Sequence, residues 1–200
     1  MKARMIVVMM ALSAVLVLLN SCAKMPQETV DAAKAALEAA RAAEANRYVA
    51  DEFNALQDTL NAAMAEIEAQ NSKFALTRNY DKAKAMLESV VANAQTVAAN
   101  AATAKEETRL RVQESLAQLT TLMEETKGLM GKAPRGKEGR AALEAMQDEL
   151  TVVEASINEI NTLVSNGDFL GAENKVNAGI AKVQSINDEL KAAIAKKYGK

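Results

Sequence analysis

Apolar residues recur along this chain at alternating steps of three and four, and little interrupts them. One series reads Phe53, Leu56, Leu60, Ala63, Ile67, Gln70, Phe74. A second reads Tyr80, Ala83, Leu87, Val90, Ala94, Val97, Ala101, Ala104, and resumes as Val112, Leu116, Leu119, Met123, Thr126, Met130. A third runs Leu143, Met146, Leu150, Val153, Ile157, Ile160, Val164, and a fourth Phe169, Ala172, Val176, Ile180, Val183, Ile186, Leu190. This spacing places the side chains on one stripe of an α-helix, and a stripe must be covered by a neighbouring helix. No Pro or Gly lies between Tyr80 and Lys127. At about 1.5 Å per residue that stretch predicts a helix roughly 70 Å long.

Composition points the same way. Alanine supplies 41 of the 200 residues, and it is the strongest helix former. No segment of useful length alternates with the period of a strand. The sequence therefore predicts an all-α fold: an elongated antiparallel helical bundle made of one long hairpin, residues 28–130, and one shorter hairpin, residues 137–197, packed on the first. Val30, Ala33, Leu37 and Ala40 extend the first stripe. Near Tyr48–Phe53 two courses are open: Asp51 caps a fresh helix, or the helix runs through with a small bend. The alanine-lined part of the long hairpin is expected to be thin and less stable, or to self-associate. Three Gly and one Pro between Gly128 and Gly136 predict a loop at 131–136 and a boundary there. Ser165-Asn166-Gly167-Asp168 predicts a reversal with Gly167 as a left-handed stop and Asp168 as the next cap. Gly171 and Gly179 inside the last helix are unfavourable unless close packing offsets them. Asn79-Tyr80-Asp81-Lys82-Ala83 echoes Asp168-Phe169-Leu170-Gly171-Ala172. The echo reads either as duplication or as convergence on one way to seat a helix start.

The N-terminus has a different character. Lys2 and Arg4 precede an uncharged stretch from Met5 to Leu19, too short for a comfortable membrane span and suited to a secretory signal peptide. Leu19-Asn20-Ser21-Cys22 resembles a bacterial lipobox. The resemblance implies that residues 1–21 are removed and that Cys22, the sole cysteine, is acylated. Residues 22–27 would then form a short lipidated tether. With Lys2 and Arg4 gone, 22 basic side chains face 26 acidic ones. Several acyl chains at one point anchor stably, each buried methylene contributing about 0.8 kcal/mol. Ala23 in place of an Asp after the acylated residue implies, by resemblance to sorting in diderm bacteria, the outer membrane facing the periplasm.

Two further resemblances follow from quoted residues. The alanine-rich run Ala32–Arg47, Tyr48-Val49-Ala50-Asp51-Glu52-Phe53, and Asn79-Tyr80-Asp81-Lys82-Ala83 are together similar to the DUF4398 family of small helical bacterial envelope proteins. Ala50 stands where that family has Pro, and Arg78-Asn79 where it has Gly-Asp. The likeness covers about residues 30–110 and implies a helical envelope protein with no transferable catalytic residue. The ending Lys196-Lys197-Tyr198-Gly199-Lys200 resembles that of Braun's murein lipoprotein type. The resemblance implies that Lys200 is a possible attachment point for peptidoglycan.

Chemistry is weakly encoded. With no His, His-containing metal sites and His-based triads are ruled out. One Cys forms no intrachain disulfide. A formal charge of −2 carries no basic footprint for nucleic acid. Glu106-Glu107, Glu124-Glu125 and Asp148-Glu149 point to different sides of their helices, so no acid–base dyad is expected. Ser72, Ser89 and Ser115 lack an activating base. Arg135-Gly136-Lys137-Glu138-Gly139-Arg140 is locally basic. Tyr48, Phe53, Phe74, Tyr80 and Phe169 are expected to anchor seams or turns. The expected function is a non-enzymatic envelope lipoprotein with a structural, scaffolding or interaction role, without cofactor or metal. Its expected partners are membrane lipid, through the acyl groups, and an envelope protein or peptidoglycan. The alternative is an accessory lipoprotein that binds an apolar ligand or peptidoglycan.

Overall fold

The structure, a computed structural model, describes residues 24–198. The leader 1–21, Cys22 and Lys200 lie outside the described residues. Among the described residues there are six α-helices and no strand, an all-α helical bundle. The helices are α1 (Gln27–Ala42), α2 (Ala45–Tyr48), α3 (Ala50–Asn71), α4 (Asp81–Lys132), α5 (Lys137–Ser165) and α6 (Phe169–Tyr198). They form two compact units, 1–104 and 105–200, and α4 contributes to both.

The first unit corrects the single long hairpin. Residues 28–78 do not form one arm, because the chain reverses between Ala42 and Ala50. Glu44 takes a left-handed conformation (φ 61°), costing an L-residue roughly 1 kcal/mol, and Val49 leads into α3. Asp51 sits inside the first turn of α3 rather than at its cap. The reversal lays α1 antiparallel to α3: Arg41, near the end of α1, stacks over Phe53 and reaches Gln57, both early in α3. The start of α1 lies beside Glu88–Ala92 of α4, so α1 and α4 run the same way. The physical reason is burial. A two-helix hairpin would leave part of the α3–α4 seam open, and Val30, Ala33, Leu37 and Ala40 close it.

Apart from the single-turn α2, the first unit is built of three long helices, and the second unit is also three-helical. The α4 segment from Lys105 onward, α5 and α6 enclose Val112, Leu119, Met123, Leu150, Val153, Ile160, Val176, Val183 and Leu190. Arg111 pairs with Glu173 and Lys191 with Glu125, so α4 and α6 run parallel, with α5 antiparallel to both. The expected Gly/Pro boundary is displaced. Helix α4 continues through Gly128 and Gly131 to Lys132, and Ala133 still donates its N–H to Leu129. Partly buried Leu129 and Met130, packed on the core, hold the helix together there. The division falls instead at Ala104–Lys105, where α4 carries no large apolar side chain between Ala98 and Thr108.

The echo around Tyr80 and Phe169 extends much further than those segments. Phe53, Leu56, Leu60, Ala63 and Ile67 match Leu143, Met146, Leu150, Val153 and Ile157 at a constant offset of 90 residues. Within this stretch Ala55, Gln57, Asp58 and Leu60 recur as Ala145, Gln147, Asp148 and Leu150. The buried residues Ala83, Leu87, Ala94, Val97 and Ala101 match Ala172, Val176, Val183, Ile186 and Leu190 at an offset of 89. A shared helix start does not require a register kept over two helices, so the pattern favours duplication of a two-helix segment.

The α5–α6 turn is as its residues predict. Gly167 has φ +76°, its N–H donates to Val164, and the Asp168 N–H reaches back to Leu163. The carboxylate of Asp168 then accepts the Gly171 N–H at 3.3 Å. Gly179 is needed for close approach: a Cβ there would lie 3.2 Å from Leu119 and 3.5 Å from Val153. Gly128 by contrast has open space around it. Replacing Gly128 with Ala is expected to stabilise the fold by about 0.5–1 kcal/mol. Gly179→Leu is expected to cost about 1–3 kcal/mol through overpacking. Urea unfolding followed by circular dichroism tests both, and equal effects at the two glycines would contradict the packing described.

Candidate functional site

Three places on the molecule are chemically distinctive: the turn between α3 and α4, a buried polar pair in the second unit, and the grooves between helices. The turn follows from a local conflict. The three-four series ends at Phe74, but α3 stops at Asn71, and Phe74 begins a short 3₁₀ turn, Ala75–Thr77. Phe74 is consequently 73% exposed and Leu76 65% exposed, which corrects the expectation that Phe74 anchors a seam. Tyr80 takes that role instead, buried beside Ala83 and Leu87.

A hydrogen-bond network fixes this turn. The Arg78 guanidinium donates to the carbonyls of Lys73 (3.0 Å) and Asn71 (2.8 Å), which closes the open end of α3. Gln70 is buried; its amide donates to Glu66 at 2.7 Å and its Oε1 accepts the Asn79 N–H at 3.1 Å. The Tyr80 hydroxyl donates to Asn71 Oδ1 at 2.5 Å. Asn79 Oδ1 accepts the Asp81 N–H at 2.7 Å at the start of α4. The hydrogen bond from Gln70, with a second from Lys82, holds the Glu66 carboxyl below its ordinary value of 4.5.

The buried polar pair is Thr126 and Asn187, both fully enclosed. Asn187 Nδ2 donates to Thr126 Oγ1 at 3.0 Å, and the Thr126 hydroxyl donates to the Leu122 carbonyl at 2.7 Å. Among the described residues no group donates to Asn187 Oδ1. Thr126 stands in the predicted seam, but Asn187 was missed. It directly follows Ile186 on the stripe, and spacing alone does not show which of two adjacent residues turns inward. A buried amide of this kind sets the register between neighbouring helices at a cost in stability.

The grooves are open and mixed in character. One of about 650 Å³ is lined by Met130, Gly131, Arg135, Arg140, Leu143, Glu144 and Gln147. Arg135 and Arg140 of the basic stretch therefore meet here, with Arg140 Nε donating to the Arg135 carbonyl at 3.3 Å. A groove of about 310 Å³ between α3 and α4 is lined by Glu52, Ala55, Thr59, Ser89, Asn93 and Thr96, among others.

The carboxylate pairs are drawn to cations on their own or adjacent helices. Glu106 binds Arg109 at 2.6 Å, Glu125 binds Lys191 at 2.9 Å, and Glu149 binds Lys182 at 2.8 Å. Lys175 likewise pairs with Glu159. Hydrogen bonds from Arg109 to Glu106, and from Lys191 and then Asn187 to Glu125, lower both carboxyl pKa values. Ser72 donates to the Glu68 carbonyl, and Ser89 accepts from Asn93. Among the described residues no group of three or more acidic or Cys side chains is placed to hold a metal ion. Nor is any described helix long and apolar enough to cross a membrane.

Compared with known proteins, the chain matches no family model, no curated protein and no solved structure.

Two outcomes follow from the side-chain chemistry. Replacing both partners, Thr126→Val with Asn187→Leu, is expected to be neutral or to stabilise by up to about 1 kcal/mol, because no buried polar side chain is then left without its partner. Urea denaturation measures this, and a large loss of stability would show that the polar pair contributes more than it costs. Glu66, Glu106 and Glu125 have folded pKa values below 4.5, so their contribution is present above that pH. It is lost as the pH falls through the lowered values. The exposure of Glu106 and Glu125 makes their share small and salt-sensitive. The drop in unfolding midpoint between about pH 6 and about pH 3 should therefore shrink in Glu125→Gln.

Proposed function

We propose that this protein is a non-enzymatic lipoprotein of the bacterial envelope, acylated at Cys22 and acting as a helical scaffold or interaction module. The observation that supports the role is how the apolar side chains are used. In both units most of the large ones lie in solid seams, with Leu87, Val90, Leu119, Leu150 and Val176 wholly buried and few, such as Phe74, Leu76 and Val152, left outside. The remaining surface carries charged side chains in short ion pairs, suited to contact with other macromolecules rather than to enclosing a substrate.

The alternative of an apolar-ligand carrier needs an enclosed apolar space. The 650 Å³ groove is open and lined in part by Arg135, Arg140, Glu144 and Gln147, which suits a polar contact better. Attachment to peptidoglycan through Lys200 is compatible with the scaffold reading. It rests on the resemblance of the last five residues and on a helix that continues to Tyr198. The resemblance to DUF4398 agrees with an outer-membrane, periplasm-facing lipoprotein and adds no activity.

Mass spectrometry of the chain purified from bacterial membranes is the first test. The expected result is an N-terminal peptide beginning at Cys22 and carrying acyl mass. An unmodified Cys22 would remove the proposal's foundation. Crosslinking in native membranes should then retrieve envelope proteins, and muramidase digestion should release a Lys200-linked peptide if the wall is a covalent partner.

A further inference from the structure

We propose that the α3–α4 turn is a second membrane contact, with Phe74 and Leu76 seated in the interfacial layer of the bilayer that holds the acylated N-terminus. This rests on the lipoprotein reading above.

The first observation is that the exposure of these two side chains is built in. Isolated apolar residues on a surface are ordinary, and Leu110 and Val152 are examples. Phe74 and Leu76 differ because they sit together on one turn whose backbone is tied from both sides. Arg78 holds the carbonyls of Asn71 and Lys73, and the N–H and hydroxyl of Thr77 both donate to the Phe74 carbonyl at 2.9 Å. The backbone is thus anchored while the two side chains point into solvent.

The second observation is where the described chain begins. Residues Lys24 to Thr29 share a recess with Lys84, in the first turn of α4, and Lys84 donates its N–H to Tyr80. The chain start and the α3–α4 turn therefore lie at the same end of the first unit. Cys22 is two residues before Lys24, and each residue spans at most about 3.6 Å. An acylated sulfur would therefore tether the unit from the end that carries Phe74 and Leu76.

The third observation is charge. Lys24, Lys73, Arg78, Lys82 and Lys84 gather around this end, interleaved with Glu28, Glu66, Asp81 and Glu88. Lys82 and Lys84 pair with Glu66 and Glu88, while Lys24 and Lys73 form no salt bridge among the described residues. Cations beside exposed aromatic and aliphatic side chains suit an anionic bilayer surface, where apolar groups enter the headgroup boundary and Lys remains at the phosphates. A second copy of the chain is a poorer occupant, because two side chains fall far short of the roughly 800 Å² per partner that a stable interface buries.

The chain has no Trp, so one introduced Trp reports alone. Full-length acylated Phe74→Trp would be purified from bacterial membranes and reconstituted into vesicles of phosphatidylethanolamine and phosphatidylglycerol. Asn46→Trp, exposed at the opposite turn of the same unit, is the control. Circular dichroism checks the fold, and Leu76→Trp provides an independent second reporter. Trp at 74 and 76 is expected to emit at shorter wavelength and to lose emission to lipids bearing a nitroxide near the headgroup, whereas Trp at 46 should do neither. Solvent-like, unquenched emission at 74 and 76 in protein whose acyl mass is confirmed would overturn the contact and leave the lipoprotein reading standing. A blue shift that grows with protein density without lipid quenching would assign the turn to protein contact and also overturn it. Absence of acyl mass would overturn both readings.

Discussion

Burial of an apolar stripe on each half of α4 is the interaction on which the structure depends. Between Tyr80 and Ala101 the first stripe meets α1 and α3; between Val112 and Met130 the second meets α5 and α6. A helix of 52 residues has far more backbone than its own propensity can hold rigid, so partners along its length supply most of its stability. The two sets of partners differ in kind. The first core includes Ala33, Ala40, Ala45, Ala63, Ala83, Ala94 and Ala101, which allow close approach but bury little area. The second relies on Leu, Val, Ile and Met, each contributing more on burial.

Helix ends then decide where chemistry can occur. A helix interior satisfies its own backbone, whereas its termini leave carbonyls and N–H groups that other residues must meet. At the α3–α4 turn Gln70, Arg78 and Asn79 meet them, and the network leaves Phe74 and Leu76 outside. At the α5–α6 turn Gly167 and Asp168 do the same work with no exposed aromatic, since Phe169 begins α6. Two repeats of one design thus differ at the corresponding turn by one residue and by what they present to solvent.

Most of the helical fold was legible because a three-four pattern has one low-energy solution. The stripes of α3, α5 and α6, and the Gly167 stop, were all readable from local spacing and turn chemistry. The reversal at Glu44 was not, because a left-handed Glu has no sequence signal and only tertiary burial offsets its strain. Phe74 fits the series as well as Ile67 does, yet the helix ends first and turns it outward. Gly128 and Gly131 read as a break, but packing of Leu129 and Met130 carried the helix past them.

The sequence by itself determined that the chain is helical, which faces are apolar, and that no His-based chemistry is available. Those properties depend on neighbours within a few residues and on which side chains exist at all. Only the tertiary structure decided that each unit packs three long helices, that Asn187 rather than a neighbour meets Thr126, and that Phe74 faces solvent. Each of these is a choice among partners distant in sequence, settled by the area buried and the polar groups satisfied when whole helices pack.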